Sequence, residues 1–135
     1  MKKTLRIVFA LSMGVLGGVL LAQTEADFSG WMKEVAATNG KMKGAVAAKD
    51  AATATATAKV LENDFKQVET FMTKRGTADA AAMAKAASTA AANVQKAVAA
   101  GNFDEATTQA AAVAGSCGGC HMAHREKGDS GYKIK

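Results

Sequence analysis

Proline is absent from this 135-residue chain, cysteine occurs only twice, and aromatic residues make up 5%. With no proline to break a helix and about thirty alanines to favour one, the chain should be almost entirely helical. Two cysteines exclude a disulfide-stapled scaffold. The missing proline excludes a collagen-like chain, 49% hydrophobic residues exclude a disordered one, and the length excludes a multidomain enzyme. Also lacking is an apolar run of the roughly 20 residues that cross a bilayer as a helix. The run from Ile7 to Ala22 falls short of that and contains Gly14, Gly17 and Gly18. It follows Lys2, Lys3 and Arg6 and precedes Gln23-Thr24-Glu25. A basic start, a short apolar middle and a small residue before the cut are the order of a secretory signal, so residues 1–22 read as a signal peptide cleaved near Ala22, with the mature protein periplasmic. No cysteine follows the run, which argues against a lipid anchor, and no stable membrane insertion is expected after cleavage.

Charge loses its apparent meaning once the signal is set aside. The formal net charge is +5, but Lys2, Lys3 and Arg6 supply three of the 17 basic residues, and all 12 acidic residues lie beyond them. The mature chain is near neutral, so nucleic-acid binding has no electrostatic support.

Helix stop and start signals divide the remainder at Lys49-Asp50, Arg75-Gly76-Thr77 and Ala100-Gly101-Asn102, giving four helices. Thr77 is placed as an N-cap, and Asn102 to Glu105 has the spacing of a capping box. Stripes at helical period support each segment: Phe28, Met32, Val35, Asn39, Met42 and Val46 in the first, Leu61, Phe65, Val68 and Met72 in the second. The third carries Met83, Ala87, Ala90, Val94 and Val98; the fourth carries Phe103, Ala106, Ala110, Val113, Cys117, Cys120 and His124. Asn39-Gly40 is a turn signal that allows a bend. The alternating stretch from Ala51 to Ala58 is assigned to helix because no partner strand is evident. Short connections between four such helices imply an all-α, antiparallel up-down-up-down four-helix bundle over residues 23–127. The tail, residues 128–135, reads as polar and mobile. Alanine fills little space, so something besides large side chains is expected to occupy the interior.

One motif carries chemistry. Cys117-Gly-Gly-Cys120-His121 is the C-x-x-C-H arrangement of c-type haem attachment. Thiols at i and i+3 share a helical face and can each bond one haem vinyl, while His121, at i+4 from Cys117, projects from that face toward the iron. Gly118 and Gly119 remove bulk where the macrocycle edge approaches. A thioredoxin-like dithiol belongs at a helix start after a strand, whereas this motif comes late in a helix. A Cys117–Cys120 disulfide in a haem-free helical domain leaves the histidine unexplained. Zinc held by Cys117, Cys120, His121 and His124 would need tetrahedral closure from a single helix. In an up-down bundle, counted at 1.5 Å per residue, Met32, Met72, Met83 and His121 all lie within about 10 Å of one end. Phe28, Trp31 and Phe71 fall in that layer too, leaving the opposite end to alanine.

A helical bundle with C-x-x-C-H near its C-terminus, behind an export signal, resembles the class II c-type cytochromes, the cytochrome c′ family with its low-spin Met-ligated relatives. The resemblance spans the mature chain. It implies one covalent haem c per chain on Cys117 and Cys120, His121 as proximal ligand, and Arg125 at the basic position near the proximal face. His124 stands where an aromatic is more usual. Phe28-Ser-Gly-Trp31-Met32-Lys33 is similar to the segment from which low-spin relatives supply a distal methionine, which makes Met32 the second iron ligand, with Phe28, Trp31 and Met83 lining the pocket. The function expected is one-electron transport between redox partner proteins, not enzymatic catalysis. A five-coordinate protein binding nitric oxide or another diatomic gas is the alternative. Family members often form homodimers, and without its haem the chain should be loosely packed.

Overall fold

The computed structural model describes residues 23–135; the export-signal reading falls on residues 1–22 and lies outside them. Four helices, α1 (Glu25–Ala47), α2 (Ala51–Arg75), α3 (Ala78–Ala99) and α4 (Phe103–His124), precede a short hairpin of β1 (Arg125–Gly128) and β2 (Gly131–Ile134). Each helix packs on the next in sequence, and α1 also packs on α4, which closes the bundle. Among the described residues no helix is long and apolar enough to cross a membrane.

The helix boundaries have local causes. Thr24 and Asp27 form a reciprocal capping box at the start of α1, the Asp27 amide donating to Thr24 Oγ1 at 3.1 Å and the Thr24 amide donating to Asp27 Oδ2 at 2.7 Å. The Thr24 amide, together with the Thr24 hydroxyl that donates to the same Oδ2 at 2.8 Å, holds the Asp27 carboxyl below its ordinary range. Asp50 caps α2 by accepting from the Thr53 amide at 3.0 Å. Gly76, at φ 81°, ends α2 and lets the Thr77 amide donate to the Met72 carbonyl at 3.0 Å. Thr77 occupies the N-cap position of α3 but makes no side-chain capping bond. Asn102 caps α4 through the Glu105 amide at 3.0 Å, while the Glu105 carboxylate accepts from Gln109 instead of completing a box. The α1–α2 turn has no glycine, and Lys49 takes the left-handed position there at φ 56°. Helix α1 runs unbroken through Asn39-Gly40, and residues 51–58 are helical.

Two expectations are overturned. The tail is folded: Arg125 pairs with Ile134, Glu126 with Lys133 and Lys127 with Tyr132, so the architecture is four helices plus an antiparallel hairpin. Alone, two four-residue strands would be marginal. This pair is held by Ile134 packing on the cluster around Val68, Phe71 and Met72, and by the Lys135 amide donating to the His124 carbonyl at 2.9 Å. Nor is the far end filled by alanine alone. Met42 and Val94 are completely buried toward that end, and Leu61 and Val113 near the middle of the bundle, with Val46 and Val98 in the same cluster. Buried alanines such as Ala54 and Ala58 permit close helix approach, so a few larger side chains suffice to fill the space.

One core group is out of place energetically. Asp64, on α2, is only 8% exposed and its Oδ2 has no hydrogen-bond partner. Burial, with the nearby Glu34 carboxylate adding repulsion, raises its pKa from 3.8 to about 6. Ionisation is thus harder in the folded chain than in the unfolded one, and stability is withdrawn as pH rises from about 4 through about 6. Asp64→Asn should stabilise the protein by about 1 to 3 kcal/mol at pH 7 and by almost nothing near pH 3.5, read from urea unfolding at both values.

Candidate functional site

The end of the bundle holding the N-terminal part of α1 and the C-terminal part of α4 is not filled by the polypeptide. A cavity of about 600 Å³ opens there, within the usual range for a cofactor site. Its walls come from all four helices and the hairpin.

From α4 come Cys117, Cys120, His121 and His124. The i, i+3, i+4 spacing of the first three brings two thiols and an imidazole to one wall. The sulfurs are free and both cysteines are partly buried. Burial pushes both thiol pKa values up, with Cys120 adding to the effect on Cys117 and Asp79 adding to that on Cys120. They stay protonated at neutral pH, unlike the depressed thiols of disulfide oxidoreductases. The His121 pKa is lowered, mainly by burial and then by the Arg125 guanidinium, so the ring is neutral at pH 7 and keeps a nitrogen lone pair.

His124 has a different role. Its Nε2 lies 2.8 Å from Asp79 Oδ2, with the His124 side chain only 16% exposed. A carboxylate can only accept, so Nε2 carries a proton and donates it. The contact ties the end of α4 to the start of α3 and holds the Asp79 carboxyl below its ordinary range. That nitrogen is committed and offers nothing to a metal. Among the described residues, no three or more His, Cys, Asp or Glu side chains cluster closely enough to hold a metal ion.

The facing walls are soft and apolar. Helix α1 contributes Phe28, Met32 and Val35, α2 contributes Phe65, Val68 and Met72, and α3 contributes Met83, Ala84 and Ala87. Phe28 is fixed by stacking on Phe71, with ring centroids 5.1 Å apart and planes at 27°. Of the residues singled out from sequence, Phe28, Met32, Met83, Cys117, Cys120, His121 and Arg125 all border the cavity. Trp31 does not. It is half-buried against the Val68–Phe71–Met72 cluster, because α1 turns it away from the face that carries Phe28 and Met32. Gly118 is exposed and a Cβ there would touch nothing, while a Cβ at Gly119 would meet Met83 Sδ at 3.9 Å, ordinary contact. The polypeptide itself requires glycine at neither position.

No family model, curated protein or solved structure matches the chain. The site must be read from its own chemistry.

Sequence reasoning missed two contributions. The hairpin supplies Tyr132, Lys133 and Ile134 to the cavity wall. Asn39, noted only for the apolar stripe and the turn signal, also lines the cavity, and its Oδ1 is buried without a hydrogen-bond partner. An orphaned amide oxygen in a largely apolar wall costs free energy unless a guest or water meets it. Volume, apolar lining, paired thiols and an adjacent neutral imidazole together suit a large, flat, largely apolar cofactor bonded through sulfur and ligated through nitrogen.

Proposed function

We propose that this chain is an exported electron-transfer protein of the class II c-type cytochrome kind, with one haem c bonded to Cys117 and Cys120 and ligated by His121 and Met32. One observation carries the reading: the C-x-x-C-H thiols and imidazole share a wall of a single cavity, and Met32 lines that same cavity from α1. The antiparallel up-down-up-down order belongs to this proposal. Its support is that the cavity draws on early residues of α1 and α3 and late residues of α2 and α4, with connections of a few residues between helices.

Bound there, haem supplies an iron that exchanges one electron between ferrous and ferric states. The chain's residues do the rest. Two thioether sulfurs on a rigid helix fix the cofactor's position, and a neutral His121 donates a lone pair without first losing a proton. The Met32 thioether would be the second protein ligand to the iron, and a thioether in that role would raise the potential. Phe28, Val68 and Met72 exclude water from the interior. Such a protein changes no bond in a substrate. Its partners are redox proteins, and a homodimer is compatible with the family resemblance.

Met32 is tested by the oxidised optical spectrum of the haem-loaded protein. A low-spin spectrum with a sulfur-to-iron charge-transfer band is expected, and Met32→Ala should abolish that band. Persistence of the band in the variant transfers the role to Met72 or Met83, which line the same cavity. A high-spin wild-type spectrum that shifts on adding nitric oxide would instead give the gas-binding protein.

A further inference from the structure

The C-terminal hairpin is not needed to complete the four-helix bundle, yet residues 130–134 border the same cavity as the two cysteines. Its position is fixed at both strands. Ile134 packs on the Val68–Phe71–Met72 cluster, the Lys135 amide donates to the His124 carbonyl at 2.9 Å, and the Arg125 guanidinium lies 3.8 Å from the centre of the Tyr132 ring.

The charges around the cavity are unbalanced. Lys33, Arg125 and Lys133 border it, and the acidic residue beside them, Glu25, is taken by Arg75 at 2.7 Å. Lys133 has a partner in Glu126 at 3.2 Å, but both side chains are well exposed and such a contact is worth little. His124 is paired with Asp79 outside this count. An apolar interior with surplus cations at its border suits a guest that is apolar across its body and anionic at one edge.

Resting on the haem reading above, we infer that the hairpin is part of the cofactor site: Lys133 and Arg125 are the cationic partners of the haem carboxylates, and strand β2 covers the cavity mouth against solvent and small ligands. Tyr132 holds the Arg125 guanidinium in place for this. Arg125 and Tyr132 are diagonal cross-strand neighbours two pairs apart, so loss of β2 would free the arginine as well as remove the lysine.

The test uses protein matured with its cofactor, attachment first established by mass. Lys133→Glu should lower the reduction potential, because a cation that offsets the carboxylates is replaced by an anion. Lys59→Glu, the same charge change at an exposed α2 position that does not border the cavity, should leave the potential nearly unmoved. A chain ending at Gly128 should bind added imidazole at least about tenfold faster than the full chain, the barrier to entry being lower by about 1.4 kcal/mol. Where haem is attached, equal potentials in the two charge variants and imidazole rates within about twofold would overturn the hairpin's role and leave the haem reading intact. Should the truncated chain fail to fold, the charge-variant comparison decides alone. Absence of attached haem in the wild type would overturn both.

Discussion

Replacing Cys117 and Cys120 together by Ser is expected to give a colourless chain at polypeptide mass, with its helix content largely kept and its order lost at one end only. The two halves of the bundle differ in what holds them. Met42, Leu61, Val94 and Val113 are completely buried between the middle of the bundle and the far end, and that packing needs no cofactor. The cavity end has about 600 Å³ that the polypeptide leaves unfilled, so Phe28, Met32 and Met83 face space instead of partners when haem cannot be retained. Far-ultraviolet dichroism should change little. Amide exchange should accelerate in the first half of α1, the last turns of α4 and the hairpin, while α2 around Leu61 stays protected. Uniform acceleration along all four helices would contradict this division.

Leu61→Ala is expected to cost about 2 to 5 kcal/mol, a large share of the roughly 5 to 15 kcal/mol that holds a domain of this size. Leu61 has no exposed surface, and it belongs to a buried cluster made mostly of alanines and valines, with Met42 and Phe65, on packed helices that can move little to close the space left behind. Leu61 does not itself border the cavity: the nearest α2 residue that does, Phe65, is one turn further on, about 6 Å along the helix axis. The optical spectrum of loaded protein should therefore be unchanged while the urea midpoint falls with an unaltered slope. A spectral change would mean that the two ends are not independent.

Much of the fold was legible because its punctuation is chemical. Gly76 and Gly101 take the positive φ values that a left-handed helix end requires, and Asn102 caps α4. Lys49-Asp50 was readable without glycine only because Asp50 is a good N-cap. The hairpin was not legible. Its strands are four residues long and largely exposed, and their order comes from Ile134 docking on distant helices, which local pattern does not encode. Alternation of Tyr132 and Ile134 after Gly128-Asp129-Ser130-Gly131 was the available signal. Within the site, C-x-x-C-H identified its wall directly, and helical rise brought Met32 and Met83 to the same level. Trp31 shows where that arithmetic ends: rise gives the level of a residue along the bundle, and rotation about the helix decides whether it faces the cavity. Asn39 went unrecognised because a stripe position and a turn signal both account for an asparagine until the missing partner of its Oδ1 is seen.

The most direct measurement is the intact mass and visible spectrum of the full chain after export in a host able to attach haem. The expected result is a coloured protein heavier than its polypeptide by one haem, with the added mass on the peptide containing Cys117 and Cys120. A colourless product at polypeptide mass, with both thiols free to alkylation, would contradict the account at its root.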